Sequence, residues 1–230
     1  MSSEYKQTDD KMDMLLSVNS IFQSVNGEVN NTGIGSMTTF VRLAGCNLRC
    51  SYCDTTYAQT DENALRPSIK SVVHSVVNFF GSRRVTITGG EPLLQKLPVG
   101  VLVNALVMKG INVVIETNGS IAIPVEWPCC FVVDFKLPSS GMVSKMDLDN
   151  FNNLNYNDFI KYVIADVDDY NYAKNIEEQL RNRQTAPNTR RAFSPVYGQL
   201  APAELLRWMV ADGFTNAYMN LQMHKIIKVR

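Results

Sequence analysis

Short apolar runs alternate with helical patterns along most of the chain. Met37–Leu43 (MTTFVRL) reads as a strand, as do 84–88, 112–116, 131–135 and 158–164, all rich in β-branched and aromatic residues. Shorter runs at 190–193 and 217–221 read the same way. Between them, 68–80 carries Ile69, Val72, Val73, Val76 and Phe80 at helical spacing behind Pro67, and 99–109 is a helix stopped by Gly110. Residues 168–180 and 202–212 complete the set of expected helices. The rhythm predicts an α/β fold with a mainly parallel sheet. Between Glu116 and Phe131, Pro124 and Pro128 leave little room for a helix, so a barrel built this way is abbreviated on that side. Residues 1–17 are expected to form a flexible tail and 18–230 a single domain.

The polar motifs fall at one end of these strands. Gly89-Gly90-Glu91-Pro92 follows 84–88, Glu116-Thr117-Asn118-Gly119 ends 112–116, Asp134-Phe135-Lys136 ends 131–135, and Ser194-Pro195 follows 190–193. The C-terminal ends of parallel strands gather at one mouth, where α/β barrels and open sheets keep their chemistry. One such loop would be an ordinary turn; four at one end point to a shared site.

Composition narrows the classes. Lys+Arg and Asp+Glu number 22 each, so net charge gives no broad grip on a nucleic-acid backbone. No apolar run reaches the roughly 18–20 residues of a membrane span, and the polar N-terminus lacks the apolar stretch of a secretory signal. Five cysteines, grouped three plus two, are a poor disulfide framework and fit a reducing cytoplasm.

Cys46, Cys50 and Cys53 have the spacing CxxxCxxC. Thiolates are soft ligands that suit iron–sulfur clusters and zinc. Three of them can wrap three corners of a cubane and leave one iron open, as a catalytic site requires. A closed zinc site needs four ligands, and the histidines are only His74, within a helical pattern, and His224. Cys129 and Cys130 adjoin an apolar strand and are expected to pack in the core. Spacing alone leaves the zinc reading open.

The string GCNLRCSYCDTTYA, preceded by FVRL, together with the GGEP loop, resembles the radical S-adenosylmethionine superfamily and, within it, the 7-carboxy-7-deazaguanine synthase family. Further matches are IFQSVNGE at 21–28, ETNG at 116–119, KLPSSG at 136–141, FSP at 193–195 and LQMHK at 221–225. The resemblance runs from about position 20 to the C-terminus.

It implies a modified, incomplete TIM-type β/α barrel, a homodimer, a [4Fe-4S] cluster on the three cysteines, S-adenosylmethionine and Mg2+. It implies a lyase that converts 6-carboxy-5,6,7,8-tetrahydropterin to 7-carboxy-7-deazaguanine with loss of ammonia, fed by a flavodoxin- or ferredoxin-type reductant. An electron from the cluster would break a C–S bond of the sulfonium and give a 5′-deoxyadenosyl radical that abstracts a substrate hydrogen. Carried over residue by residue, the cofactor would be met by Tyr52, Cys53, Asp54, Gly90, Asp134, Phe135, Lys136, Phe193, Ser194, Pro195 and Val196. Thr55 would supply an oxygen to Mg2+. Val25, Asn26, Gly27, Arg42 and Thr88 would meet the substrate, with the Arg42 guanidinium suited to its carboxylate. Asn26 stands where the family favours Gln, and Asp134-Phe135 where many members have Ser-Pro. The competing expectations are a glycyl-radical activase, which shares CxxxCxxC, and a non-catalytic metal-binding module, which leaves GGEP unexplained.

Overall fold

The computed structural model describes residues 11–79, 81–124, 126–152 and 154–229. Among them, strands β1 (Val18–Val25), β2 (Met37–Leu43), β3 (Arg84–Gly89), β4 (Asn112–Thr117), β5 (Cys130–Phe135), β6 (Phe159–Ile164), β7 (Arg190–Pro195) and β8 (Ala217–Met219) lie side by side in chain order in one sheet. From β2 to β8 every pairing is parallel, and β1 runs antiparallel to β2 along one edge. β8 and β1 do not pair, so the sheet is open and the barrel incomplete. The apolar pattern gives no strand before β2; β1 is an addition, its side chains mostly half-buried.

Helices connect the parallel strands where the pattern expects them. α1 (Ile69–His74), prolonged by a π-helical turn at Ser75–Phe79, joins β2 to β3, and α2 (Lys96–Val107) joins β3 to β4. α3 (Val167–Asn182) and α4 (Pro202–Ala211) join the last three strands, and the short α5 (Met223–Ile226) follows β8. Local chemistry sets their starts. The Ser68 hydroxyl accepts from Ser71 N, the Asp166 carboxylate accepts from Asp169 N, and Pro202 opens α4 where its missing N–H costs nothing. Between β4 and β5 the described residues hold no helix. There Trp127 packs on Gly100 of α2, 2.8 Å from where a Cβ would stand, and stacks on Phe131.

Strand alternation sorts the sheet into two faces. Val41, Leu43, Val85, Ile87, Val113, Ile115, Phe131 and Val133 point outward and pack with the helices in one continuous core. Facing inward, Val114, Cys130, Val132, Phe159 and Ala192 form a smaller apolar layer, plugged by Val29 from the loop after β1. That loop closes the open side without a ladder. Met223 N donates to Gly27 O at 2.9 Å, and the buried Val29 N donates to Asn220 Oδ1 at 2.9 Å. Gly27 is needed here, since a Cβ would lie 2.3 Å from His224 Nδ1.

The expected tail, residues 1–17, is packed against the domain at its C-terminal end. Residues 1–10 lie outside the described residues, but Leu16 is fully buried and its N donates to Pro67 O at 3.0 Å. Ser17 N donates to Gln95 Oε1 at 2.7 Å. The apolar Leu16 side chain has a place in the core, and burying it fixes the backbone beside it.

Candidate active site

The cysteine loop hangs from β2 and is laced at both ends. Gly45 N donates to Ala58 O and Cys46 N to Gln59 O, while Glu91 N donates to Gly45 O at 2.8 Å. Gly90 presses main chain against main chain here: a Cβ would stand 1.9 Å from Gly45 O. The KLPSSG segment holds the far side, with Ser51 N donating to Ser140 O at 3.1 Å. Cys46, Cys50 and Cys53 therefore share one half-exposed surface at the mouth. Burial pushes the Cys46 and Cys50 thiols up, and the neighbouring thiols add to the rise. Leu48 N and Asn118 Nδ2 are directed at Cys46 Sγ, 3.5 and 3.9 Å away.

These thiols fit an iron–sulfur cluster. They are soft ligands and sit close enough to feel one another's charge. A cluster spreads its thiolates over several irons. Among the described residues neither His74 nor the other two cysteines can complete the set: His74 is exposed on α1, Cys129 precedes β5, and Cys130 begins it at the opposite end from Asp134.

Above the inner apolar layer lies a band of charged residues. Lys136, buried behind the cysteines, donates to Asp134 Oδ2 at 2.9 Å. Asp134 Oδ1 lies 3.1 Å from Lys161 Nζ, and Lys161 also pairs closely with Glu28. Gln222 Nε2 donates to the other Glu28 oxygen at 3.0 Å. Burial is the largest single effect and works against the lysine charges, but Asp134 together with the other acidic groups around each, Glu28 and Glu116 beside Lys161 among them, outweighs it and pushes both lysines up. Glu116 lies in the same band; burial, then the Glu28 charge, push its carboxyl up from 4.5 to about 6. Its proton thus stabilises the fold fully below pH 4.5, and that contribution is lost as pH rises through about 6. Urea unfolding of wild type and Glu116→Gln is expected to show the variant gaining on wild type between about pH 5 and 7.

Arg42, on the same face as its register partner Thr88, lies over the Phe22 and Tyr57 rings at 5.7 and 5.9 Å. Its Nη1 donates to Thr55 Oγ1 at 3.3 Å, while its Nε is buried with no partner among the described residues. The Thr55 hydroxyl donates onward to Asp54 Oδ1 at 2.9 Å, and Asp54 pairs with Lys225 at 2.6 Å. The Tyr52 hydroxyl is likewise buried without a partner.

Other expected site residues sit differently. The side chains of Phe135 and Phe193 turn outward into the helix-packed core, so any contact they make at the mouth is through main chain. Ser194 turns inward and accepts from Asn220 Nδ2 at 3.1 Å; Pro195 ends β7, and Val196 N donates to Ile164 O. Val25 pairs with Met37 at the end of β1. The Asn26 amide is taken up by Asn30 and Gly33 within its own loop, leaving main chain as its means of contact.

Glu28, Glu116 and Lys161 carry no assigned role in the sequence reading. One signal was present for Lys161: it is the lone cation in the otherwise apolar run FIKYVI.

Comparison with known proteins places this architecture. The model of the radical SAM superfamily matches residues 41–124. The 7-carboxy-7-deazaguanine synthase of Clostridium acetobutylicum is 34% identical over 210 residues, which cover 90% of this chain and 93% of that one. The Chlorobaculum tepidum protein of the same name is 36% identical over 92% of this chain and 94% of its own. The crystal structure of QueE from Escherichia coli superposes with a TM-score of 0.75 over 97% of this chain and all of that one, at 22% identity, a likeness of fold. An incomplete parallel barrel with this matched region defines a radical S-adenosylmethionine enzyme, a lyase. Within that class, the chain belongs to the 7-carboxy-7-deazaguanine synthase family.

Proposed function

We propose that the enzyme converts 6-carboxy-5,6,7,8-tetrahydropterin to 7-carboxy-7-deazaguanine with loss of ammonia, in queuosine or 7-deazapurine biosynthesis. The observation that carries this reading is the convergence of the three-cysteine loop, held by Gly90 and Glu91, with Arg42 and the inner charged band at one mouth. Cys46, Cys50 and Cys53 would hold a [4Fe-4S] cluster. When bound, the cluster and S-adenosylmethionine supply a radical that removes a substrate hydrogen.

The protein's part is placement. Main chain at Tyr52, Asp54 and Gly90, the ammonium of Lys136, and the segment from Phe193 to Val196 would cradle the cofactor. Asp134 already engages Lys136, and so orients it rather than leaving it free to swing. The unpartnered Arg42 Nε suits a carboxylate oxygen, which would share the guanidinium with Thr55. Thr55 Oγ1 would be the protein ligand of Mg2+, a hard ion that keeps most of its waters. Thr88 and the main chain of Val25, Asn26 and Gly27 would face the heterocycle.

A homodimer, a flavodoxin- or ferredoxin-type electron donor and a cytoplasmic site belong to the same proposal. No described helix is long and apolar enough to cross a membrane.

The test is anaerobic turnover with reductant, Mg2+ and the tetrahydropterin, reading product by mass. Product from wild type and none from a triple cysteine variant is the expected result. Cofactor cleavage without product would discard the substrate and favour a protein-activating enzyme. No cleavage by protein with a full cluster would overturn the proposal.

Arg42→Ala is expected to weaken substrate binding by about 1.5–3 kcal/mol, the worth of a charged hydrogen bond. Cofactor binding should change little. Equal losses of both, measured by calorimetry, would make Arg42 structural.

A further inference from the structure

The loop after β4 reaches across the mouth to the first cysteine. Asn118 is buried, and its backbone N donates to Glu91 Oε2 at 2.7 Å. Glu91 is itself fully buried, and its other oxygen accepts from Thr117 Oγ1 at 2.7 Å and Leu93 N at 2.9 Å. The GGEP loop and the ETNG loop are therefore one rigid unit.

The side chain of Asn118 is fixed as well, in one sense. Its Oδ1 accepts from Ser120 N at 3.0 Å and Ser120 Oγ at 2.6 Å. A backbone N–H is only a donor, so the amide cannot be turned over. Its Nδ2 must then face the cysteine loop, where it meets Asn47 Oδ1 at 3.0 Å and Cys46 Sγ at 3.9 Å. Asn47 is held in turn by its own Nδ2 on Ser120 Oγ at 2.8 Å. One hydrogen of the Asn118 amide goes to Asn47 and the other is left for sulfur.

We infer that Asn118 is a positioning residue that donates to the Cys46 sulfur and thereby raises the reduction potential of the cluster this loop holds. The inference rests on the cluster reading above. A donor at a ligand sulfur favours the more negative, one-electron-reduced form, [4Fe-4S]2+ plus one electron giving [4Fe-4S]+. Leu48 N supplies a second donor to the same sulfur, so Cys46 is the electrically supported corner of the triad. Asn118 also ties cluster loop, GGEP and β4 together, so its donor stays in place while the site fills.

The test uses the full-length protein, reconstituted anaerobically, with iron content and visible absorption confirming a full cluster. Midpoint potentials are read by electron paramagnetic resonance during titration with a chemical reductant, without S-adenosylmethionine. Asn118→Asp keeps both acceptor bonds to Ser120 and the main-chain bond to Glu91 but replaces the donor with a charged oxygen, so its shift combines the lost donor with that charge, and the uncharged Asn118→Ser isolates the donor. The aspartate variant's ratio of reduced to oxidised cluster at a fixed potential is expected to fall about tenfold, or ~59 mV for one electron. Asn118→Ser, too short to reach sulfur, is expected to shift the same way by less, and stands in if the aspartate variant does not fold. Asn47→Ala loosens the same loop but keeps the donor, and is expected to hold the wild-type potential. A wild-type potential in Asn118→Ser would overturn the inference. So would an Asn47→Ala shift as large as that of Asn118→Ser, which would make the effect one of loop looseness. Failure of wild type to take up a cluster would instead overturn the functional reading.

Discussion

Lys161→Met is expected to lose about 3–5 kcal/mol of folding stability, the usual cost of removing one partner from a buried ion pair. Lys161 is 6% exposed and its ammonium serves both Glu28 and Asp134. Methionine fills much of the same volume, so the loss comes from charge. Two carboxylates would remain beside Glu116, with Lys136 touching only Asp134. In the native protein Glu28 works against burial, yet the lysine charge holds its pKa below the usual carboxylate range. Without the lysine that pKa rises, so the deficit should be largest at neutral pH and shrink as acid protonates the carboxylates. Chemical denaturation at several pH values reads this directly. Adding Glu28→Gln to Lys161→Met should recover part of the loss, and additive losses would show that the pair is not coupled. The same change should disturb function, because Glu28 anchors the loop that closes the open side of the barrel through Gln222.

Cys50→Ala is expected to leave a folded protein with cofactor cleavage at background. The Cys50 side chain is half-exposed, and the main-chain bond of its carbonyl to Cys53 N survives the substitution. Melting temperature should stay within a few degrees of wild type, since the side chain fills no core space. The remaining thiols, Cys46 and Cys53, cannot hold three corners of a cluster. The two further cysteines, Cys129 and Cys130, lie at the far end of β5 and cannot replace the lost ligand. Iron content, visible absorption and cleavage of S-adenosylmethionine, measured together, check the prediction. Cleavage at the wild-type rate with Cys50 absent would remove the cluster from these residues.

Much of this architecture is written locally. Runs such as RVTIT and NVVIE can do little but form strands, and capping at Ser68 and Asp166 is decided within a few residues. The cysteine spacing is equally local, which is why a three-thiol site is legible before any fold is known. β1 is harder to see because it is a half-buried antiparallel edge whose apolar and polar residues do not alternate cleanly. Phe135 and Phe193 show the limit of motif reading. Each lies in a segment that reaches the mouth, yet side chains of a strand alternate, and theirs belong to the helix-packed face.

By itself, then, the sequence determined the order of strands β2 to β8 and of helices α1 to α4, the thiol loop, and the clustering of four polar motifs at one end of a parallel sheet. Tertiary structure decided which charges and donors meet there. Lys161 and Glu28 are 133 residues apart and Asn118 and Cys46 are 72 apart. Such pairs depend on strand register, on a glycine that admits main chain to main chain, and on the loop that closes the barrel's open side. None of these is encoded in a local period. They arise only when the whole sheet is assembled and its buried polar groups must find partners.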